Sequence, residues 1–375
     1  MADTPEDRKF SPMEKALPGI PGVDLDKDDV ASDIDVQIEG QEPTPEGGPA
    51  ITELADGGVE VNFDPNQVQP GNPDDHFANL AELLPDNVLG PLASDLYEKH
   101  MDYKMSRKEW ESTYTQGLDL LGFKYENRTQ PFQGASGATH PVLAEAVTQF
   151  QALAYKELLP AAGPVRTQIM GMATPQKDQQ SQRVKNYMNY MLMNQMEGYD
   201  EDFDKMLFYL PLAGSTFKKV YYDSVKQKPV SQFVQADDLL VPYSATNVED
   251  AECAIHVLKI SGNEIKKQQY AGFYRDVELA APMYFEDPLK QKEKELDGQR
   301  KTKPEDIYTL YECHTNLNLE GFEDVNPQTG EPTDIKLPYV VTIDAGSRTV
   351  LSIRRNYAPN DPTKKKIQYF VHFKF

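Results

Sequence analysis

Two cysteines in 375 residues, a single tryptophan and no apolar run of about 18 residues set the first limits on this chain. Cys253 and Cys313 cannot build a disulfide framework, and their scarcity fits synthesis in a reducing compartment. After Met1 the sequence is acidic and proline-rich, with no apolar leader core, so it predicts neither secretion nor membrane spanning. Basic charge is short as well: 38 Lys and Arg stand against 60 Asp and Glu, a formal charge of −22. Sequence-specific DNA binding relies on clustered cations that release counterions, so this balance argues against it. A passage for DNA that must not grip its cargo is compatible with acidity, because weak like-charge repulsion prevents sticking.

The acidity is uneven. Met1 to Pro85 holds 20 Asp or Glu against four Lys or Arg, together with 11 Pro and 8 Gly, and it has no sustained apolar period. Such a segment cannot bury enough surface to offset its ordering entropy, and residues 1–85 read as a disordered acidic arm. Val59, Val61 and Phe63 alternate and could add an edge strand against a neighbour.

Residues 86–375 read as one α+β region with helices first and antiparallel strands after, a helical N-terminal half packed on the sheet. Periodicity opens near Asp74 with Phe77, Leu80, Leu83 and Leu84, and resumes after Pro85 through Val88, Leu89, Leu92, Leu96 and Met101, with Asp86 as the expected cap. Ser106 and Glu109 have capping-box spacing ahead of Trp110, Tyr114, Leu118 and Leu121, which end at Gly122. Thr139 or His140 caps the next predicted helix, which runs to a break at Pro160. Thr174 with Pro175 starts a long one through Met196 to Gly198, and Phe203 to Leu212 makes another. From Gly214 the period falls to two, with strands predicted from Phe217, at 229–234, 239–242, 254–260, 307–317, 337–343, 350–355 and 367–375. Ser261 and Glu264 form a second capping box, and 287–305 reads as a mobile charged loop. The last strand places Ile367, Tyr369, Val371, Phe373 and Phe375 on one face and then stops. An uncovered strand of that kind invites aggregation, so the native polypeptide is expected to continue and the chain to Phe375 to assemble poorly alone.

Several residue groups resemble chemical motifs. Gly134, Ser136 and His140 suggest a nucleophile, but a nucleophile elbow needs glycine where Ala138 stands and a strand before it. The same glycines lack the lysine of a phosphate loop, and a loop gripping a neighbouring subunit is the better reading. Asp24, Asp26 and Asp28 have calcium-loop spacing, yet the sixth position is Asp29 instead of glycine and the twelfth Asp35 instead of glutamate. Cys253 with His256, and Cys313 with His314, are offset by three and by one. On strands such offsets point to opposite faces, which makes zinc improbable and small apolar core roles the better reading. Met188, Met191, Met193 and Met196, with Tyr187 and Tyr190, spread more widely around a helix than one stripe. Core packing is the default for them, and a subunit interface would explain the excess. Lys364–Lys366 and Arg354–Arg355 flank an expected hairpin connection, where a solvated turn is favoured over phosphate contact. No catalytic, cofactor-binding or metal residue is assigned.

Five strings in order, PFQGASGATHPVLAEA, RVKNYMNYMLMNQM, FYLPLAGSTFKKVYYD, DDLLVPYSATNVEDAE and IKLPYVVTIDAGSRTVLSIRRN, span Pro131 to Asn356. Together they resemble the wing region of portal proteins, the head-to-tail connectors of short-tailed bacteriophages. The resemblance implies a virion protein made in the host cytoplasm that forms a ring of about twelve subunits at one vertex of the head. That ring would conduct double-stranded DNA during packaging and ejection, and it would meet terminase, tail or adaptor proteins, and capsid and scaffolding proteins. It implies no membrane partner and no catalytic centre. Stem, clip and crown would lie beyond Phe375, so no channel-lining residue is carried over. The competing expectations are an acidic adaptor protein and a serine hydrolase using Ser136 and His140.

Overall fold

At Gly214 the chain changes from helix to strand within one residue. Its left-handed backbone (φ 76°) ends a helix by donating its N–H to Leu210 O at 2.9 Å, and the strand begins at Ser215. The computed structural model describes residues 50–53, 59–62, 75–122, 132–135, 140–223, 228–282, 289–292, 306–326, 329, 331–359 and 361–375. The chain divides into residues 1–64 and 65–375. In the first unit, β1 (Ala50–Glu53) pairs antiparallel with β2 (Val59–Asn62), so the strand expected at Val59 forms against its own chain. The rest of the acidic arm up to residue 74, with Asp24, Asp26 and Asp28, lies outside the described residues.

The second unit is α+β. It contains α1 (Asp86–Ser106), α2 (Lys108–Leu121), α3 (Val142–Leu158), α4 (Pro175–Tyr190), α5 (Tyr199–Ala213) and α6 (Gly262–Tyr270). Its strands are β3 (Ser215–Asp223), β4 (Lys228–Val234), β5 (Leu239–Leu240), β6 (Cys253–Ser261), β7 (Ile307–Leu317), β8 (Leu337–Asp344), β9 (Val350–Arg355) and β10 (Phe370–Lys374). They form an antiparallel sheet in the order β10-β3-β4 and another in the order β5-β6-β7-β8-β9.

Strand alternation sets the layers. On the five-stranded sheet Ile255, Cys313, Val341 and Ile353 face a core shared with Leu89, Ala93 and Leu96 of α1. On the three-stranded sheet Phe233 and Phe373 face Phe203, Met206 and Leu207 of α5, which also receive Phe150 and Ala154 of α3. Phe217 and Phe370 point the other way, and Phe370 meets His256 and His314 on the five-stranded sheet. The order is therefore helices, small sheet, large sheet, helix. A fully buried side chain such as Ile255 stabilises this arrangement by about 2 kcal/mol.

The packed chain begins before Pro85, the expected boundary of the arm. Leu80 and Ala81 are buried in the main core. Asn79 binds the edge of β9 as a neighbouring strand would, donating to Leu351 O at 3.1 Å and accepting from Ile353 N at 3.0 Å. Arg354 reinforces the attachment by donating to Phe77 O, and Arg355 by donating to Asp75 O. The β9 edge is thereby closed.

Several local expectations need correction. Pro85, not Asp86, caps α1, and Ser106 is the last residue of that helix, donating to Tyr103 O instead of capping α2. The buried stripe of α1 is Leu89, Ala93, Leu96 and His100, which leaves Met101 exposed. Pro141 occupies the cap position of α3 with no side-chain cap, because the helix starts only at Val142. Thr174 does cap α4, accepting from Lys177 N at 3.3 Å, and Ser261 caps α6 through Glu264 N. Regular α geometry stops at Tyr190, and Met191–Gln195 form a π turn before Gly198 (φ 74°). Of the charged segment 287–305, only 289–292 is described. It is a helical turn held by Leu289 against α2 and by Lys290 near Asp237 and Asp238.

The C-terminal strand also differs from its expected pattern. Its pairing with β3 starts at Phe370, and Phe370 is the buried residue. Phe373 is covered by the α5 cluster and Tyr369 by the cluster around Phe370, whereas Val371 and Phe375 stay exposed. The five alternating residues are thus shared between two faces.

Candidate functional site

α4 is attached to the body through polar groups. Ser181, Lys185 and Asn189, spaced four apart, are its only half-buried residues, and no residue of the helix is buried. Asn189 Oδ1 accepts from Val165 N at 2.9 Å and its Nδ2 donates to Val165 O at 3.3 Å. Ser181 Oγ donates to Thr167 Oγ1 at 2.7 Å. Gly163 (φ 91°) permits this approach, since a Cβ there would lie 2.4 Å from Asn189 Cγ. The bulky residues consequently face outward. Tyr187 is 64% exposed, and Val184, Met188, Tyr190 and Met193 are also open. Met170 and Met172, on the preceding extended segment, are almost fully exposed. Core packing, the default for these methionines, does not hold for Met188 and Met193, while Met191 and Met196 are half-buried; exposed Tyr and Met on one helix match the composition of a protein interface.

Between the two sheets lies a polar cluster. His256 on β6 stands opposite Glu312 on β7, and His314 follows two residues on, so all three share one face. Lys219 of β3 reaches across to both carboxylate oxygens of Glu312, at 2.6 and 2.7 Å, and His314 Nε2 donates to Oε1 at 2.8 Å. Burial alone would raise the Glu312 pKa, but Lys219 and the His314 hydrogen bond bring it well below the usual carboxylate range. Burial lowers His256 to about 3, helped by Lys219, and lowers His314 despite its bond to Glu312. The cluster is an ion pair flanked by neutral imidazoles.

The zinc question is answered by the same alternation. Cys253 and Cys313 are free and buried in the α1 core, on the face opposite His256 and His314. Among the described residues no group of three His, Cys, Asp or Glu is placed to hold a metal. In the cluster between the sheets the Lys219 ammonium occupies the centre that a cation would need.

On the other face of β3, Lys218 is 3% exposed, with Nζ 4.1 Å from the Tyr199 ring centre and 5.0 Å from that of Phe203. Burial lowers its pKa to about 8, against the pull of Asp202. Sequence reasoning missed Lys218, Lys219 and Glu312. The available signals were two lysines inside an apolar strand and the i, i+2 spacing of Glu312 and His314.

The basic clusters are engaged. Arg354 lies over the Phe273 ring and donates to Gly272 and Phe273 carbonyls, Lys364 pairs with Asp324, and Lys366 donates to Ala251 O. These residues tie segments together, a role neither the solvated-turn nor the phosphate reading included. A cleft of about 250 Å³ is lined by Trp110, Phe217, Val241 and Tyr243 with Arg107 at its edge. The Arg107 guanidinium is committed to the carbonyls of Ala236, Asp237 and Leu239. His140 is exposed and Ser136 lies outside the described residues. Within the described part of the Gly-rich loop, Ala135 N donates to Phe132 O around Gly134 at φ 91°, a tight turn that needs glycine. No helix among the described residues is long and apolar enough to cross a membrane. No protein-family model and no curated protein sequence matches the chain.

Proposed function

We propose that this chain is a structural subunit of a phage portal, a ring of about twelve copies that passes double-stranded DNA during packaging and ejection and joins head to tail. The observation that carries the reading is α4, a 16-residue helix with no buried residue and an outward face of Tyr and Met. A helix held to its own chain by polar contacts, with its apolar side chains turned away, fits a subunit whose burial is completed by a neighbour. The α+β body of helices on antiparallel sheets fits the wing that the five sequence strings resemble. Residues 86–375 carry a net charge of −6, which fits a body that does not grip DNA. Terminase, tail or adaptor proteins, and capsid and scaffolding proteins are the partners this role requires, and the virion is its location.

Sedimentation velocity of the full-length product tests the reading. A species of about twelve copies is expected. A stable monomer at high concentration overturns it.

A further inference from the structure

Two outward helix faces of this chain complement each other. α3 turns Val142, Ala146, Gln149 and Leu153 to solvent in a stripe spaced 4, 3 and 4 residues, with Val142 62% and Leu153 71% exposed. The opposite side of α3 is taken, since Phe150, Ala154 and Tyr155 pack on α5. Glu145 and Glu157 flank the stripe, with one cation, Lys156, beside Leu153, while the acidic first turn of α5 lies on the other side of the helix, where Tyr155 Oη donates to Asp200. The α4 face is the converse, with larger side chains and opposite charge: residues 164–190 carry four Lys or Arg against one Asp.

We propose that α4 of one copy docks across the outward face of α3 in a second copy, head to tail, with Tyr187 and Met188 seated over Ala146 and Gln149. The proposal rests on the ring reading and assigns the surface that would build it. Ala146 leaves a gap in the α3 stripe for a large side chain of the other helix, and Lys177 and Arg183 of α4 meet Glu145 and Glu157 of α3. A two-fold contact of α4 with α4 would bring two basic faces together and leave the α3 stripe uncovered. A heterologous contact covers both faces and repeats around a ring.

The test uses two single variants of the full-length product, Ala146→Cys and Met188→Cys. Both positions are exposed, while Cys253 and Cys313, at 2% and 0% exposure, are shielded from reagent. The variants are mixed, treated with a short bismaleimide, and the linked peptides mapped by mass spectrometry. The expected result is a link between positions 146 and 188 in the mixture, lost when either variant is treated alone. A 188-to-188 link in Met188→Cys alone would show a two-fold contact and overturn the proposal. A sample that sediments as an oligomer without a 146-to-188 link overturns this interface and leaves the ring reading standing. A monomer throughout overturns both. As a second measure, Arg183→Glu is expected to weaken assembly and Glu145→Arg in the same chain to restore it; failure of that restoration also counts against the pairing.

Discussion

Lys219 on β3 holds both carboxylate oxygens of Glu312 on β7, so one ammonium ties the three-stranded sheet to the five-stranded one. Both side chains are largely buried, at 13% and 14% exposure, and each is compensated chiefly by the other. Breaking such a pair strands a charge, whereas replacing both members with apolar atoms removes the burden together with the bond. Lys219→Met is expected to cost about 3 kcal/mol in urea unfolding, and the double variant Lys219→Met with Glu312→Leu to recover most of it. Equal losses in single and double variants would show that the pair does not act as a unit.

Lys218, on the opposite face of the same strand, makes stability depend on pH in the alkaline range. Its folded pKa of about 8 lies below the unfolded value of 10.5, so between these limits the unfolded chain binds the additional proton. Stability from this residue therefore rises with pH through that window, by up to about 3 kcal/mol at about 1.4 kcal/mol per unit. Tyrosines and the two buried cysteines act in the opposite sense above about pH 9, so the check is a difference measurement. Unfolding of the native chain and of Lys218→Met, compared from pH 7.5 to 9, should show the positive slope only in the native chain.

His100 gives the corresponding acid-side effect. It stacks on Tyr311 with ring centres 3.9 Å apart, Nδ1 has no hydrogen-bond partner among the described residues, and burial, with Lys104 and Arg107 nearby, lowers its pKa to about 4. The unfolded chain takes up this proton near pH 6.5 and the folded chain only near 4, so stability falls as pH drops between them. His100→Phe preserves the stack and should flatten the pH dependence of the thermal midpoint between 6.5 and 4. An unchanged slope would show that the other histidines with lowered pKa, His256, His314 and His372, carry the effect instead.

The elements were legible where local pattern and burial agree. Thr174 with Pro175 and Ser261 with Glu264 marked true helix starts, and the change of period at Gly214 marked a true change of element. Ser106 misled because its hydroxyl found an acceptor one turn back, at Tyr103 O, and the preceding helix ran through it. Residues 75–84 were assigned with the arm because their neighbours are acidic, but Asn79 and Leu80 answer to β9, with Ile353 274 residues from Asn79 in sequence. The α4 face was harder still. Periodicity records that Tyr187 and Met188 are apolar, but it cannot say that their own chain leaves them exposed. In the fold the inner seam went to Ser181 and Asn189 instead.

Gly163 controls whether α4 can keep that seam. At φ 91° it sits in backbone that L side chains rarely adopt, and an added Cβ would fall 2.4 Å from Cγ and Oδ1 of Asn189, the amide that pairs with Val165. Gly163→Ala must therefore strain the backbone and displace Asn189, giving up two hydrogen bonds, for a local cost of about 2–3 kcal/mol. Asn189→Ala loses the bonds without the clash and should cost about 1–2 kcal/mol. Hydrogen exchange of the amides in 175–190 measures both, because undocking α4 leaves the sheets intact and raises exchange only in this helix. Faster exchange in both variants, greater for Gly163→Ala, is the expected order. Unchanged exchange in Gly163→Ala would mean that something other than the Asn189 seam holds the helix. If the exposed face of α4 is the contact between copies proposed above, Gly163→Ala should also reduce self-association, although the glycine lies against the inner seam of α4.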